Sequence, residues 1–193
     1  MVFEPRYCQL VQECQNEDAP FGVVLLQSGR EVADPGAEPY RVGTTAHIRE
    51  VEAGADGRLH IVSVGQRRFR VHSLTYEQPY LAAQVEYMID EEHGATAREL
   101  TERVRVATVD YVKTLASLRG GWLQEVPLPE DPGALSYLVA QLFQGQRQAQ
   151  QRLLESASIA ARLEDEEVLL ASAQEKVDQL TEKKRSERES NLN

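Results

Sequence analysis

The chain has 193 residues, of which 41% are hydrophobic and 27% are charged, and these values are typical of a soluble globular protein with one domain or two small ones. Its formal net charge of -10 argues against a general nucleic-acid binder, because such proteins need excess Lys and Arg to displace counterions from phosphates. No stretch approaches the roughly 20 apolar residues that span a bilayer, and no signal peptide is visible. We therefore expect neither a nucleic acid nor a membrane as partner.

The two cysteines, Cys8 and Cys14, bear on the redox compartment. On one helix they would lie about 9 Å apart along the axis, beyond the roughly 7 Å that separates disulfide-bonded α-carbons. Cys14 also falls on the apolar side of its segment, where a free thiol behaves as a small hydrophobe. We interpret both as structural thiols in a reducing cytoplasm.

The first predicted element is an amphipathic helix. Apolar residues repeat at i, i+3, i+4 and i+7, at Tyr7, Leu10, Val11 and Cys14. This spacing places them on one helical face. Pro5 fits the first turn, since the amide proton that it lacks has no helical partner there.

From Phe21 onward the pattern becomes that of strands. Residues 21–26 form an apolar run typical of a buried strand, and Asp34, Pro35, Gly36 and Pro39 predict a loop up to Tyr40. Further strands are predicted at residues 44–51, 59–71 and 81–89. Because apolar residues alternate onto both sides of 59–64, we expect both faces there to be partly covered. Short strands with Gly-rich turns predict a small, curled, mostly antiparallel, barrel-like sheet.

Near His93 the composition shifts to helix formers. One helix is predicted from Leu100 to Leu118, and Asp131-Pro132 is a good cap and first-turn pair for the next. A third helical region begins after Gly145 and continues as a long segment from about Ser158, whose apolar repeat is interrupted by Glu166. We therefore predict an α+β fold, with a β-rich domain at residues 1–92 and a helical subdomain with a charged C-terminal tail at residues 93–193.

Several short sequence motifs occur one after another in the first half of the chain. They begin with Phe3-Glu4-Pro5-Arg6-Tyr7 and continue at residues 20–25, 42–48, 56–62, 64–71 and 79–86. In this arrangement they resemble the N-terminal, substrate-recognition domain of the Lon protease family. The resemblance implies a domain that recognises protein substrates and passes them to an attached ATPase and protease. It also implies a mainly structural role for the signature residues, which are Phe3, Glu4, Pro5, Arg6, Tyr7, Gly43 and Gly65.

The sequence offers no catalytic machinery that we can name. No glycine precedes a lysine, so the phosphate-binding P-loop is absent, and nothing matches the motif around the serine-lysine dyad with which the Lon family cuts. The four histidines, His47, His60, His72 and His93, lack metal-ligand spacing and are interpreted as ordinary surface or partly buried residues. We therefore expect no enzyme activity, no catalytic residue, no cofactor and no metal.

Four residues are the candidates for peptide contact, namely Tyr40, Arg68, Phe69 and Tyr80. Aromatic residues are favoured anchors for recognition, and arginines can meet acidic groups of a ligand. The alternative for Phe69 is a core position, with the neighbouring arginines paired to carboxylates of this acidic protein. Tyr40 and Tyr80 are also compatible with capping the core from a loop.

The predicted function is a non-catalytic module that binds unfolded or damaged polypeptide, through the β-rich domain and its junction with the helices, and serves as an adaptor for a protease or chaperone. The alternative is an assembly subunit that forms a homo-oligomer through its helical half. Family members also carry a strand and a proline-containing turn before the phrase at residues 3–7. We therefore expect the natural protein to begin roughly twenty residues upstream, or another chain to cover the strand left unpaired.

Overall fold

A computed structural model describes residues 2–28, 37–91 and 96–190. The chain forms two compact units, Met1–Ile89 and Asp90–Asn193. The predicted domain boundary at residues 92 and 93 and the side chain of His93 lie outside the described residues. No helix within the described ranges is long and apolar enough to cross a membrane.

The first unit consists of one helix and an antiparallel sheet. Its elements are α1 (Pro5–Glu17), β1 (Phe21–Ser28), β2 (Glu38–Ala53), β3 (Leu59–Thr75) and β4 (Ala82–Tyr87). The strands lie in the order β1-β2-β3-β4, and the sheet is not closed into a barrel by the strands that the structure describes. An early helix and a mostly antiparallel sheet were predicted, and both are confirmed.

Helix α1 forms where its sequence pattern predicts. Pro5 occupies the first turn, and Asp18 ends the helix in the left-handed conformation with a φ of 51°. Val11 and Cys14 are buried on the predicted apolar face. Both cysteines lie within this helix, and both are free thiols.

The pairing of β2 with β3 contains a β-bulge. Thr44 pairs with Arg68 and Ala46 with Gly65, so two residues of β3 lie opposite Thr45. The hydroxyl of Thr45 accepts a hydrogen bond from the backbone N–H of Arg67 at 3.1 Å. Such a bulge increases the local twist and re-aims the side chains that follow.

Two expectations for the strands are wrong. Pro39 and Tyr40 belong to β2 rather than to the predicted loop, because Leu26 pairs with Pro39 between two irregularities of the β1–β2 register, where a strand tolerates proline. The earlier part of that predicted loop, with Asp34, Pro35 and Gly36, lies outside the described residues. The faces of β3 near its start are also less covered than expected. Val62 and Val64 are 54% and 47% exposed, because no described element packs over their side of the strand.

The second unit is helical. It contains α2 (Thr96–Leu118), α3 (Pro132–Leu142), α4 (Arg147–Glu155) and the long α5 (Ile159–Ser190), which confirms the predicted helical half and its long final helix. The carboxylate of Asp131 accepts a hydrogen bond from the N–H of Ala134 at 2.7 Å and caps α3. The core includes Leu100, Val104, Leu135, Val139, Phe143, Leu163 and Leu170.

A buried polar network explains the interruption of the apolar repeat on α5. Arg162 contacts both carboxylate oxygens of Asp90, at 2.7 and 3.2 Å, and its Nε donates to Ser136 at 3.0 Å. The Ser136 hydroxyl in turn donates to Glu166 at 2.8 Å. This network thus joins Asp90, the first residue of the second unit, to α3 and α5. It adds hydrogen bonds to the apolar packing of these helices.

Candidate polypeptide-binding groove

An apolar groove of about 360 Å³ lies on the first unit. The helix α1, the edge strands β1 and β4, and the central strand β3 all contribute side chains to it. It can form because the sheet curls enough for both edge strands to border one space. Its walls include Leu10, Phe21, Val24, Pro39, Val71, Leu74, Leu81, Val85 and Tyr87.

Phe69 forms part of the floor of this groove and is only 3% exposed. It can lie so close to the neighbouring strands because glycines face its ring. A Cβ added at Gly43 would lie 2.8 Å from Phe69 Cζ and 2.6 Å from a methyl group of Val24. A Cβ at Gly22 would lie 3.2 Å from the same ring. The two glycines therefore let the aromatic ring pack under β1 and β2.

Tyr80 contributes its half-buried ring to the groove and directs its hydroxyl to Glu13 on α1. This hydrogen bond raises the pKa of Tyr80 to about 12. It also lowers the pKa of Glu13, with a further contribution from Gln9. The phenol therefore stays neutral at physiological pH, and its polar end is already bonded, so the ring is the part that remains for an apolar ligand.

Tyr87, at 41% exposed, and Val85, at 39% exposed, present accessible apolar surface at the groove. The guanidinium of Arg67 lies 3.7 Å from the centre of the Tyr87 ring, which is a cation–π arrangement. The groove residues contribute tyrosines but no carboxylate, histidine or lysine. Such a surface can bury apolar side chains and carries no arrangement for acid–base chemistry.

The structure brings two of the four predicted peptide-contact residues together. Phe69 and Tyr80 both line the groove, whereas Tyr40 and Arg68 do not. Arg68 is 5% exposed, while Arg70 is exposed to solvent, so the two arginines do not form a common basic surface.

The signature residues at the start of the chain surround the first turn of α1. Glu4 is the N-cap residue, and its carboxylate accepts a hydrogen bond from Arg6 Nε at 2.8 Å. The Arg6 guanidinium lies 4.7 Å from the centre of the Tyr7 ring, and Pro5 begins the helix. Phe3 is 65% exposed, with the guanidinium of Arg58 at 5.7 Å from its ring centre.

Gly65, the last signature residue, is exposed beside the bulge, and the nearest atom to an added Cβ would be Thr44 Oγ1 at 3.9 Å. The described histidines lie apart from the groove. His47 contacts Asp18 at 3.0 Å, and His72 contacts Glu86 at 3.2 Å. Among the residues with described side chains, no cluster of His, Cys, Asp and Glu could hold a metal ion.

Most of the groove was not identified from the sequence. Leu10 and Val71 were recognised as apolar positions of their elements, but no local pattern tells that their side chains border an open groove. Val85 and Tyr87 lie on the edge strand β4, and only the pairing of the strands shows that their side chains border the same space as those of β1. The one usable signal was the concentration of aromatic residues around Phe69 and Tyr80.

Comparison with known proteins places this chain among the LON domains. The family described as ATP-dependent protease La (LON) substrate-binding domain matches residues 1–172. A Lon protease of Methylocella silvestris is 28% identical over 171 residues, which are 86% of this chain and 21% of the relative. Lon protease 2 of Sorangium cellulosum is 30% identical over 175 residues, or 84% of this chain and 21% of the relative. The chain thus spans about a fifth of the length of these curated relatives.

Solved structures show the same fold. The Lon N-terminal domain protein from Xanthomonas campestris superposes with a TM-score of 0.59 at 26% identity, covering 88% of this chain and 85% of that one. The N-terminal domain of the Mycobacterium avium complex Lon protease has a TM-score of 0.61 at 17% identity, covering 90% and 87%, and supports the fold alone. The chain therefore belongs to the LON substrate-binding domain family.

Proposed function

We propose that this chain is a non-catalytic recognition module that binds unfolded or damaged polypeptide through the groove of its first unit. The observation that carries the proposal is the apolar groove, which gathers the rings of Phe69, Tyr80 and Tyr87 around a space of about 360 Å³. A space of this size accommodates a few apolar side chains of an extended segment. Family membership supports the same function, since the matching domain is described as substrate-binding.

The affinity for one segment should be modest, on the order of micromolar, because an unfolded ligand loses conformational entropy when it is ordered. Weak binding of single segments suits a module that must also release its substrates. We propose that it hands them to a protease or chaperone and that it does so in the cytoplasm. The two free thiols of α1 are compatible with a reducing compartment.

A pair of matched variants tests the role of the groove. Val85→Asp places a carboxylate among the groove residues, whereas Val23→Asp alters an equally accessible valine, 45% exposed, that does not line it. Fluorescence anisotropy with a labelled, unfolded, aromatic-rich peptide should show at least about tenfold weaker binding for Val85→Asp and little change for Val23→Asp. Equal loss in both variants, with folding intact, would contradict a role for the groove.

The module should have no turnover of its own. Purified protein, freed of the host's Lon protease, should neither hydrolyse ATP nor cleave casein. Activity that persists through purification and changes with point mutations in this chain would contradict the proposal. A tight oligomer that binds no unfolded peptide even at millimolar concentration would instead favour the alternative of an assembly subunit.

A further inference from the structure

The chain is fastened to the second unit at the point where it enters that unit. The carboxylate of Asp90 forms an ion pair with the guanidinium of Arg162 at 2.7 Å. The backbone N–H of Glu91 donates to the carbonyl of Ala157 at 3.0 Å. Because Ile89 is the last residue of the first unit, these two contacts restrain the segment that connects the units. We call them the Asp90 clamp.

The guanidinium of the clamp has a second carboxylate beside it. Glu166 follows Arg162 by four residues on α5, and residues at this spacing are neighbours on one helical face. Both side chains are almost fully buried. Ser136 lies between them, since it accepts from Arg162 Nε at 3.0 Å and donates to Glu166 at 2.8 Å. Two acidic side chains, Asp90 and Glu166, therefore surround one buried cation.

The proton on Glu166 leaves this cation to Asp90. The second carboxylate oxygen of Glu166 is buried without a hydrogen-bond partner among the described residues, and such a position is costly for a charged group. Burial raises the pKa of Glu166 to about 8, and Asp165 raises it further, although Ser136 and Arg162 act to lower it. A neutral Glu166 does not attract the guanidinium as a charged one would, so the ion pair of the clamp is favoured.

The charged and titratable groups of the elements around this site have contacts of their own. From α2, Arg103 donates to both carboxylate oxygens of Glu167, at 2.7 and 3.1 Å. From α4, Arg152 lines a cavity together with Asp165. On α3 the titratable group is Tyr137, whose hydroxyl donates to the carboxylate of the clamp at 3.5 Å. The balance at the buried guanidinium is therefore set by the two carboxylates described above.

We propose that Asp90 and Glu166 compete for Arg162, and that the proton on Glu166 keeps the Asp90 clamp closed. When Glu166 loses this proton, its charge attracts the guanidinium, weakens the ion pair with Asp90 and frees the segment at residues 90–91. The connection between the units then becomes less restrained. The inference concerns the second unit and does not depend on the proposed function.

The direction of the pH effect follows from these charges. An arginine side chain keeps its charge at every pH at which a protein is folded, so the group that changes at the site is Glu166. The clamp should be closed at neutral pH and should open as the pH rises through about 8, where Glu166 releases its proton. Carbon-detected nuclear magnetic resonance relaxation of the whole chain measures this, because it does not depend on the exchange of amide protons.

In the parent protein, the order parameter of the Glu91 backbone should be about 0.85 at about pH 6.5 and should fall below about 0.6 at about pH 9. Glu166→Gln carries no charge at either pH, so Glu91 should stay ordered in both conditions. Glu164→Gln removes an exposed charge from the same helix and is the matched control, which should respond to pH as the parent does. Asp90→Asn weakens the ion pair and should lower the order parameter already at the lower pH.

Two results would overturn the inference. One is a Glu91 backbone in the parent that stays ordered at the higher pH. The other is an equal loss of order in the parent and in Glu166→Gln, because the proton of Glu166 would then not control the clamp. If Glu166→Gln does not fold, Asp90→Asn decides. An order parameter equal to that of the parent at both pH values would show that the ion pair does not hold the segment.

Discussion

At the scale of single residues, the two signature glycines Gly43 and Gly65 have different surroundings. The backbone of Gly43 lies against β1 and the Phe69 ring, whereas a Cβ added at Gly65 would meet only Thr44 Oγ1, at an ordinary contact distance of 3.9 Å. Gly43→Ala should therefore destabilise the first unit by about 1–3 kcal/mol, because the added methyl group overpacks the floor of the groove. Gly65→Ala is the control and should change stability by less than about 0.5 kcal/mol. Urea denaturation of both variants measures this, and equal effects would contradict the packing described for Gly43.

Glu166 is a second residue with a measurable consequence. It is fully buried, with one carboxylate oxygen bonded to Ser136 and the other without a hydrogen-bond partner. Burial raises its pKa to about 8, although the hydrogen bond from Ser136 and the nearby charge of Arg162 both act to lower it. Between about pH 4.5 and pH 8, the folded protein therefore keeps a proton on Glu166 that the unfolded chain has released.

The stabilising effect of this proton should be fully present below about pH 4.5 and should decline as the pH rises to about 8. Glu166→Gln, which keeps an acceptor for Ser136 but carries no charge, should be about 1–3 kcal/mol more stable than the parent protein at pH 8 and similar to it near pH 5. The exposed Glu164→Gln on the same helix is the control. Thermal unfolding at several pH values provides the measurement, and a parallel pH dependence in parent and Glu166→Gln would contradict the assignment.

At the scale of elements, the capping of α3 can be tested directly. Asp131 accepts the N–H of Ala134 and precedes Pro132 at the start of the helix. Asp131→Ala should lower the free energy of unfolding of the second unit by about 1 kcal/mol, while Asp131→Asn retains an acceptor and should lose less. Chemical denaturation followed by circular dichroism distinguishes them. Similar losses in both variants would mean that the charge, and not the capping hydrogen bond, stabilises this end.

The elements also show which parts of the fold can be predicted from a single sequence. The helix α1 and the cap of α3 follow from local spacing and residue type, and both are found where those signals lie. The loop predicted at Pro39 was wrong, because the placement of this proline in β2 depends on the irregular pairing with β1 rather than on the local preference of proline. Likewise, the groove is lined by residues from several strands and from α1, and their meeting around one space is a property of strand pairing and packing that no local pattern contains.

At the scale of the whole molecule, the net charge of -10 should influence which polypeptides bind. Basic unfolded peptides should bind more tightly than acidic ones of equal hydrophobicity at low salt. The difference should shrink as salt shortens the screening distance to about 8–10 Å at physiological ionic strength. Calorimetric titration of a matched basic and acidic pair at two salt concentrations checks this. A preference that persists unchanged at high salt would point to specific contacts instead of overall charge.

The central claim is that the groove of the first unit receives unfolded polypeptide, and nuclear magnetic resonance tests it most directly. An unfolded, apolar polypeptide is titrated into the isotope-labelled chain while the side-chain signals of Phe69, Tyr80 and Val85 are followed. We predict concentration-dependent shifts at these residues and none at Val106 and Val168, which are exposed on helices of the second unit. Unchanged groove signals at millimolar ligand, or shifts confined to the second unit, would contradict the account.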